Sequence, residues 1–227
     1  NDTPTGAVTI TGTEAEDETL TAANTLADED GLGAISYQWN RGSNAINGAT
    51  GATHTLTQTD VGAAITVTAS YTDGLGTAES ATSAATSDVT NVNDVGVATI
   101  AGNAAEDQVL TASLADEDGT SNLGYQWKRT SGGQTTSIGG ATDATYTLEQ
   151  ADVGSTITVT IGYTDAIAGA GQSVTSAATG VVANVNDAPG GAVTIAGNAV
   201  EDQVLTANNN ISDEDGMPNA NTFAYQW

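Results

Sequence analysis

One block of sequence occurs twice in full and begins a third time, which limits this chain to a tandem array of a single fold unit. Asn1-Asp2 recurs as Asn93-Asp94 and again as Asn186-Asp187. Between these marks the same landmarks return in the same order. Glu16-Asp17 matches Glu106-Asp107 and Glu201-Asp202, and Asp28-Glu29-Asp30-Gly31 matches the runs starting at Asp116 and Asp213. Tyr37-Gln38-Trp39 returns at Tyr125 and Tyr225, Asp60-Val61-Gly62 at Asp152, and Tyr71-Thr72-Asp73 at Tyr163. The implied units are residues 1–92, 93–185 and an incomplete 186–227. With no Met at its start, the sequence reads as an internal window of a longer chain.

The pattern inside each unit is β. Ile65, Val67, Ala69 and Tyr71 alternate with Thr66, Thr68 and Ser70, and Ile157, Val159, Ile161 and Tyr163 do the same, the period of a half-buried strand. Strands are expected near 6–11, 18–23, 34–40, 53–57, 63–72 and 80–90, with equivalents in the second copy. Six or seven short strands separated by Gly, Asn and Asp clusters point to an all-β, Greek-key sandwich. Copies differ in length around Ser131-Gly132-Gly133 and in the Met217–Ala224 stretch, which are expected to be loops because loops tolerate insertion. A ligand-binding divergence would lie there.

Trp39 and Tyr37 share one face of their strand. With only 4% aromatic residues, the chain needs both as core volume, so a core role is favoured over glycan stacking. Asp60 is expected to cap the corner before the sixth strand and to pair with Arg41, as Asp152 would with Arg129. His54, the single histidine, is replaced by Tyr146 in the second copy, so it belongs to no shared catalytic apparatus. No phosphate loop, dinucleotide fingerprint or nucleophile elbow is present, and the chain reads as a non-enzyme.

The formal net charge of −25 repels nucleic acid and anionic lipid and attracts cations. No apolar run approaches the ~18 residues of a membrane span, so direct insertion is not expected. Cysteine is absent, so a small unit with a thin core needs another staple, for which bound metal is the obvious candidate.

The ordered motifs, DEDG, YQW, YTL followed by ADVG, YTD and NVNDAP, resemble the tandem immunoglobulin-like, cadherin-like repeats of giant bacterial adhesins, many of them of the RTX type exported by type I secretion. The resemblance spans the chain. It implies an extracellular, cell-surface location and a calcium-stiffened extender holding an adhesive tip away from the cell. No glycine-rich nonapeptide calcium repeat is present.

Sandwich topology decides which acids can meet. At the first junction, Glu14, Glu16 and Asp17 are expected to approach Asn91, Asn93 and Asp94 of the linker, with Asp116, Asp118 and Asp165 coming from the second copy. At the next junction the equivalents are Glu106, Asp107, Asn184, Asn186, Asp187, Asp213 and Asp215. Oxygen ligands from three segments suit calcium, which takes 6–8 oxygens in flexible geometry, better than magnesium. The DEDG run lacks the closing bidentate Glu of an EF-hand. Cadherins resemble this arrangement, holding calcium between domains with an Asn/Asp linker. The first linker departs from the second in carrying Val95-Gly96 where the other has Ala188-Pro189. The competing reading is that these acids only solvate turns. The expected partners are neighbouring repeats of the same chain. Two further functions remain open, a self-assembling filament or surface layer built from other copies, and a glycan- or protein-binding module.

Overall fold

A computed structural model describes residues 1–217 and 223–227. The chain divides into two compact units, Asn1–Asp94 and Val95–Trp227, the second holding both the second copy and the start of the third.

The first unit is a sandwich of two antiparallel sheets. One sheet orders β1 (Val8–Thr11), β2 (Thr19–Asn24) and β5 (Thr53–Thr55). The other orders β4 (Asn44–Ala45), β3 (Ser36–Arg41), β6 (Ile65–Thr72) and β7 (Ala78–Thr82). The β2–β3 and β5–β6 connections cross from sheet to sheet, as in a Greek key. In the second unit the same order returns, with β8 (Val97–Ala101), β9 (Val109–Ala115) and β12 (Thr145–Thr147) in one sheet. The other holds β11 (Gln134–Ser137), β10 (Thr120–Ser131), β13 (Thr156–Asp165) and β14 (Gly169–Thr175). The third copy supplies a hairpin of β15 (Val193–Ala196) and β16 (Thr206–Asn209). Among the described residues no helix is long and apolar enough to cross a membrane.

Alternation along β6 and β13 sends Ile65, Val67, Ala69 and Ile157, Val159, Ile161 inward to full burial. They pack around Trp39 and Trp127, both 0% exposed. Each indole N–H, buried with its ring, donates to a loop carbonyl 2.9 Å away, Gly51 in one repeat and Asp143 in the other. Both tryptophans are therefore core residues, as their spacing implies.

Two local features differ from the sequence reading. The expected strand over 80–90 ends as a regular ladder at Thr82. Beyond it, Ser83 and Thr86 turn their hydroxyls inward and accept the Val67 and Ile65 N–H groups at 3.1 and 2.9 Å. Ser176 and Thr179 do the same for Val159 and Ile157. Side chains thus replace backbone acceptors, satisfying buried donors without a continuous strand. Secondly, the length added near Ser131 goes into strands rather than a loop. Gly132 and Gly133, at φ 56° and 80°, close a tight hairpin that extends the β10–β11 pairing by two rungs, to Ser131↔Gln134. This is an edge hairpin with exposed residues at its tip, so lengthening it leaves the core untouched. Residues 218–222 of the Met217–Ala224 stretch lie outside the described residues.

The corner is a buried ion pair in both repeats. Arg41 Nε donates to Asp60 Oδ1 at 2.8 Å, and Arg129 Nε to Asp152 Oδ1 at 2.6 Å. Asp60 and Asp152 are 0% exposed, and each accepts a backbone N–H through its other oxygen, from Thr57 and Glu149. His54 and Tyr146 occupy the same place, contacting Asp60 Oδ2 at 3.3 Å and Asp152 Oδ2 at 2.7 Å.

Candidate metal centres

The Asp-Glu-Asp-Gly run is a turn, and its own hydrogen bonds decide which oxygens remain for a ligand. In the second repeat, Asp118 N–H donates to Asp116 Oδ1 at 3.1 Å, and Gly119, at φ 89°, closes the turn by donating to the Asp116 carbonyl. Positive φ is cheap only for glycine, which accounts for that residue in the motif. The hairpin between β13 and β14 is built on Asp165, whose Oδ1 accepts Ile167 and Ala168 N–H groups at 2.6 and 2.7 Å. A further bond from Ala166 N–H to the Gly119 carbonyl fastens the two turns side by side.

This places a carboxylate oxygen from each of Asp116, Asp118 and Asp165 within 4.8 Å of the others. Asp165 is 2% exposed, and its Oδ2 has no hydrogen-bond partner; Asp116 Oδ2 is also buried without one. The three residues therefore gather within their own repeat, on two turns of one sandwich. Asp165 thus keeps one buried oxygen without a donor, a cost that a cation placed among the three carboxylates would offset. The chain has only three basic side chains. Arg41 and Arg129 are engaged at the corners. Lys128 pairs with Thr158 while Asp165 pairs with Thr120, which puts Lys128 roughly 23 Å away at ~3.3 Å per residue.

A second set forms where the second copy leads into the third. Carboxylate oxygens of Glu106, Asp187 and Glu214 lie within 4.8 Å of one another. Glu106 is 1% exposed and sits beside Asp107, whose φ of 62° holds the turn. The linker is pinned onto this group: Val185 N–H reaches Glu106 Oε2 at 3.2 Å, Asp187 N–H reaches Asp215 Oδ2 at 2.8 Å, and Asn184 Nδ2 reaches Asp215 Oδ1 at 2.6 Å. Asp213 Oδ1 accepts the Asp215 N–H, and Asn186 donates to the Asp187 carbonyl. Burial pushes Glu106 above the ordinary carboxylate range, and the charges of Asp187, Asp215 and Asp107 push the same way against the Val185 N–H. Asp187 is raised by burial and by Asp107, Asp215 and Asp213. Six carboxylates thus crowd one linker, and a divalent cation would relieve them.

Sequence reasoning named Asp213 and Asp215 here but missed Glu214. The turn geometry, rather than any strand or helix period, sets where the middle residue of the run points. Its recurrence as Glu29, Glu117 and Glu214 was the available signal.

In the first unit, Glu16 is 2% exposed, its Oε2 accepts Val92 N–H at 3.4 Å, and a carboxylate oxygen of Asp94 lies within 4.8 Å of it. Glu14 contributes its backbone carbonyl to Thr90, Asp17 is exposed at φ 63°, and Asn93 donates to the Asp94 carbonyl. Asn91 is half-buried. The turn of this unit repeats that of the second. Asp30 N–H donates to Asp28 Oδ1 at 2.9 Å, Leu75 and Thr77 N–H groups converge on Asp73 Oδ1, and Asp73 Oδ2 is buried without a partner.

No protein-family model matches the chain, and no curated protein sequence does. Among solved structures it is similar to three N-terminal domains of the bacteriophage RB49 Highly Immunogenic Outer Capsid protein. That similarity has 18% identity and a TM-score of 0.29, covering 95% of this chain and 73% of the other. It is also similar to a tetra-tandem repeat in the extending region of a large adhesion protein, with 18% identity and a TM-score of 0.27 over 93% of this chain. In that case the chain spans 64% of the other, just under two thirds. Likenesses this distant leave the functional reading to the residues themselves.

Proposed function

We propose that this chain is a spacer segment of a long extracellular surface protein, whose sandwiches are stiffened by calcium held in their acidic turns and linkers. The supporting observation is Asp165 Oδ2, buried and unpartnered beside Asp116 and Asp118 in a chain with too few cations to neutralise it. Calcium suits the donors, which are carboxylates on irregular turns able to adjust to seven or eight ligands; magnesium demands near-ideal octahedral geometry and dehydrates reluctantly.

The physical mechanism is electrostatic. Without metal, Glu106, Asp187 and the neighbouring carboxylates repel one another, and the linker gains by moving apart. A bound divalent ion reverses that sign and fastens the Asp187 segment to Glu106 on one side and Glu214 on the other. Repeated along an array, this turns a flexible string into a stiff one. An export and cell-surface setting, where calcium is millimolar and thiols are oxidised, is consistent with a cysteine-free chain that draws its staples from metal.

The test is small-angle scattering of the whole chain in millimolar calcium, then in excess chelator with magnesium present. The maximum dimension is expected to be single-valued in calcium and to broaden into a flexible distribution on chelation. An unchanged profile, together with no calcium bound in calorimetry, refutes the reading and leaves the acids as solvation of turns.

A further inference from the structure

The hairpin lengthened at Gly132-Gly133 leaves the second repeat with an unguarded strand edge. β11 is the terminal strand of its sheet, and all of its residues are exposed. Natural sheets guard such edges with charge, proline, bulges or very short strands, because the unpaired backbone is a template for another strand. β11 has none of these guards. It reads Gln-Thr-Thr-Ser, and its pairing with β10 runs without a register shift. The other edges of this repeat are treated differently. β14 carries a register shift and two positive-φ glycines, Gly169 and Gly171, while β12 has three residues and β8 is flanked by residues 177–179. In the first repeat the counterpart of β11 is two residues long. The alternation of the ladder fixes which groups of β11 face outward. Ile138 N–H donates to the Trp127 carbonyl at 2.9 Å, so these two residues form a hydrogen-bonded pair. Antiparallel pairs alternate, so Arg129 with Thr136 and Ser131 with Gln134 are bonded pairs, while Lys128 with Ser137 and Thr130 with Thr135 are not. The N–H and C=O groups of Thr135 and Ser137 therefore point away from β10, toward the free edge.

We infer that this edge pairs with the same edge of a second copy of the chain, joining two four-stranded sheets into one. A two-fold axis at Thr136 sets Thr135 of one copy opposite Ser137 of the other, so that each such pair exchanges both main-chain bonds and the Thr136 residues face each other. Charge selects the partner. The chain carries −25, so two copies repel on most lines of approach. Residues 119–142 hold no acid, and Lys128 and Arg129 stand across from Ser137 and Thr136. A second copy reaches this edge without setting carboxylates against carboxylates. The strand it brings is self-complementary, since Thr and Ser hydroxyls hydrogen-bond across a strand pair. The contact is small, so it is weak and reversible, and salt strengthens it by screening the net charge. Nothing in it needs metal, so it persists in excess chelator.

Sedimentation velocity of the whole chain in excess chelator, at protein concentrations up to about 1 mM, is the test. A monomer–dimer equilibrium is expected, shifting toward dimer from low to high salt. Thr135→Pro removes an outward N–H and no bond to β10, so it should leave the unfolding midpoint unchanged and weaken the dimer about tenfold or more. Thr136→Lys, which sets two ammonium groups face to face, should do the same. Register is read with cysteine, which the chain lacks. Thr136→Cys should give a disulfide-linked dimer on mild oxidation, because non-bonded antiparallel pairs lie ~4.5 Å apart at Cα, within disulfide range, and Gln134→Cys should not. A chain that stays monomeric throughout overturns the pairing. So does a dimer that Thr135→Pro leaves intact, or one in which Gln134→Cys cross-links as fast as Thr136→Cys. Dimerisation only in the presence of calcium would also overturn it, and would move the contact to the acidic turns.

Discussion

The first and second repeats have the same strand order, the same buried tryptophan and the same corner ion pair, yet they differ at the two places where a hydroxyl or imidazole meets an aspartate. At the corner, His54 in one repeat stands where Tyr146 does in the other. At the acidic turn, the tyrosine is shared but its partner is not. The lesson is that packing and polar connections vary on separate terms. Core positions are fixed by volume and period, so both copies keep them. Polar partners depend on which donors the neighbouring segment supplies, as the Gly96 N–H does for Tyr163 while Tyr71 turns to Asp28.

The shared half of the comparison carries the largest expected effect. Trp39→Ala and Trp127→Ala each remove a fully buried indole and orphan a loop carbonyl, and each should cost about 3–5 kcal/mol. Denaturant unfolding followed by far-UV circular dichroism measures both. Costs agreeing within ~1 kcal/mol support equivalent cores; a gap above ~2 kcal/mol would mean that one repeat relies on its tryptophan more than the common architecture implies.

The corner tests the differing half. Tyr146→Phe deletes a hydroxyl whose bond to Asp152 is 2.7 Å in a buried setting, and about 1.5–3 kcal/mol should be lost. His54 reaches Asp60 at a longer 3.3 Å, so His54→Phe should cost roughly 0.5–1.5 kcal/mol at neutral pH. The phenol of Tyr146 is held above its ordinary pKa of 10.0 by burial and by the Asp152 carboxylate, so its proton stays in place throughout this measurement. Equal costs in the two repeats would show that the aspartate is indifferent to its third partner, and the comparison would then rest on the acidic turn alone.

These features were unequally legible in the sequence. Repetition and period-two alternation expose strands, core and the Arg41–Asp60 pair because each depends on residue type at fixed spacing. The hydroxyl substitution at Ser83 and Thr86 was hidden, since Thr and Ser suit an exposed strand face equally well. The extra residues at Ser131 were read as a loop because a lengthened edge hairpin and a lengthened loop look alike in composition. Acidic clustering was visible, but the grouping was not. Asp165 joins the turn of its own repeat through the Ala166–Gly119 bond, and that contact between two turns has no signature along the chain. The Tyr71–Asp28 bond was invisible for a related reason: it joins a strand side chain to a turn 43 residues away, and no pattern along the chain marks that meeting.

The smallest expected effect concerns the pH dependence of the first corner. Burial by itself raises the Asp60 carboxyl, but the Thr57 N–H, the Arg41 guanidinium and the His54 ring outweigh it and hold the group below its ordinary 3.8. A carboxylate with a depressed folded-state pKa stabilises the fold at pH values above the unfolded pKa, and that contribution is lost as pH falls through the folded value. Acid alone is an ambiguous probe, because the crowded turns titrate as well. The informative quantity is the difference between wild type and Asp60→Asn, read from thermal unfolding between pH 7 and pH 2. The penalty of the substitution should be constant down to about pH 5 and shrink below about pH 4, as the wild-type carboxyl takes up its proton. A penalty that stays constant to pH 2 would place the value of Asp60 in its shape and hydrogen bonds rather than in its charge. The first corner would then owe nothing to its ion pair, which is the property it is taken to share with Arg129–Asp152.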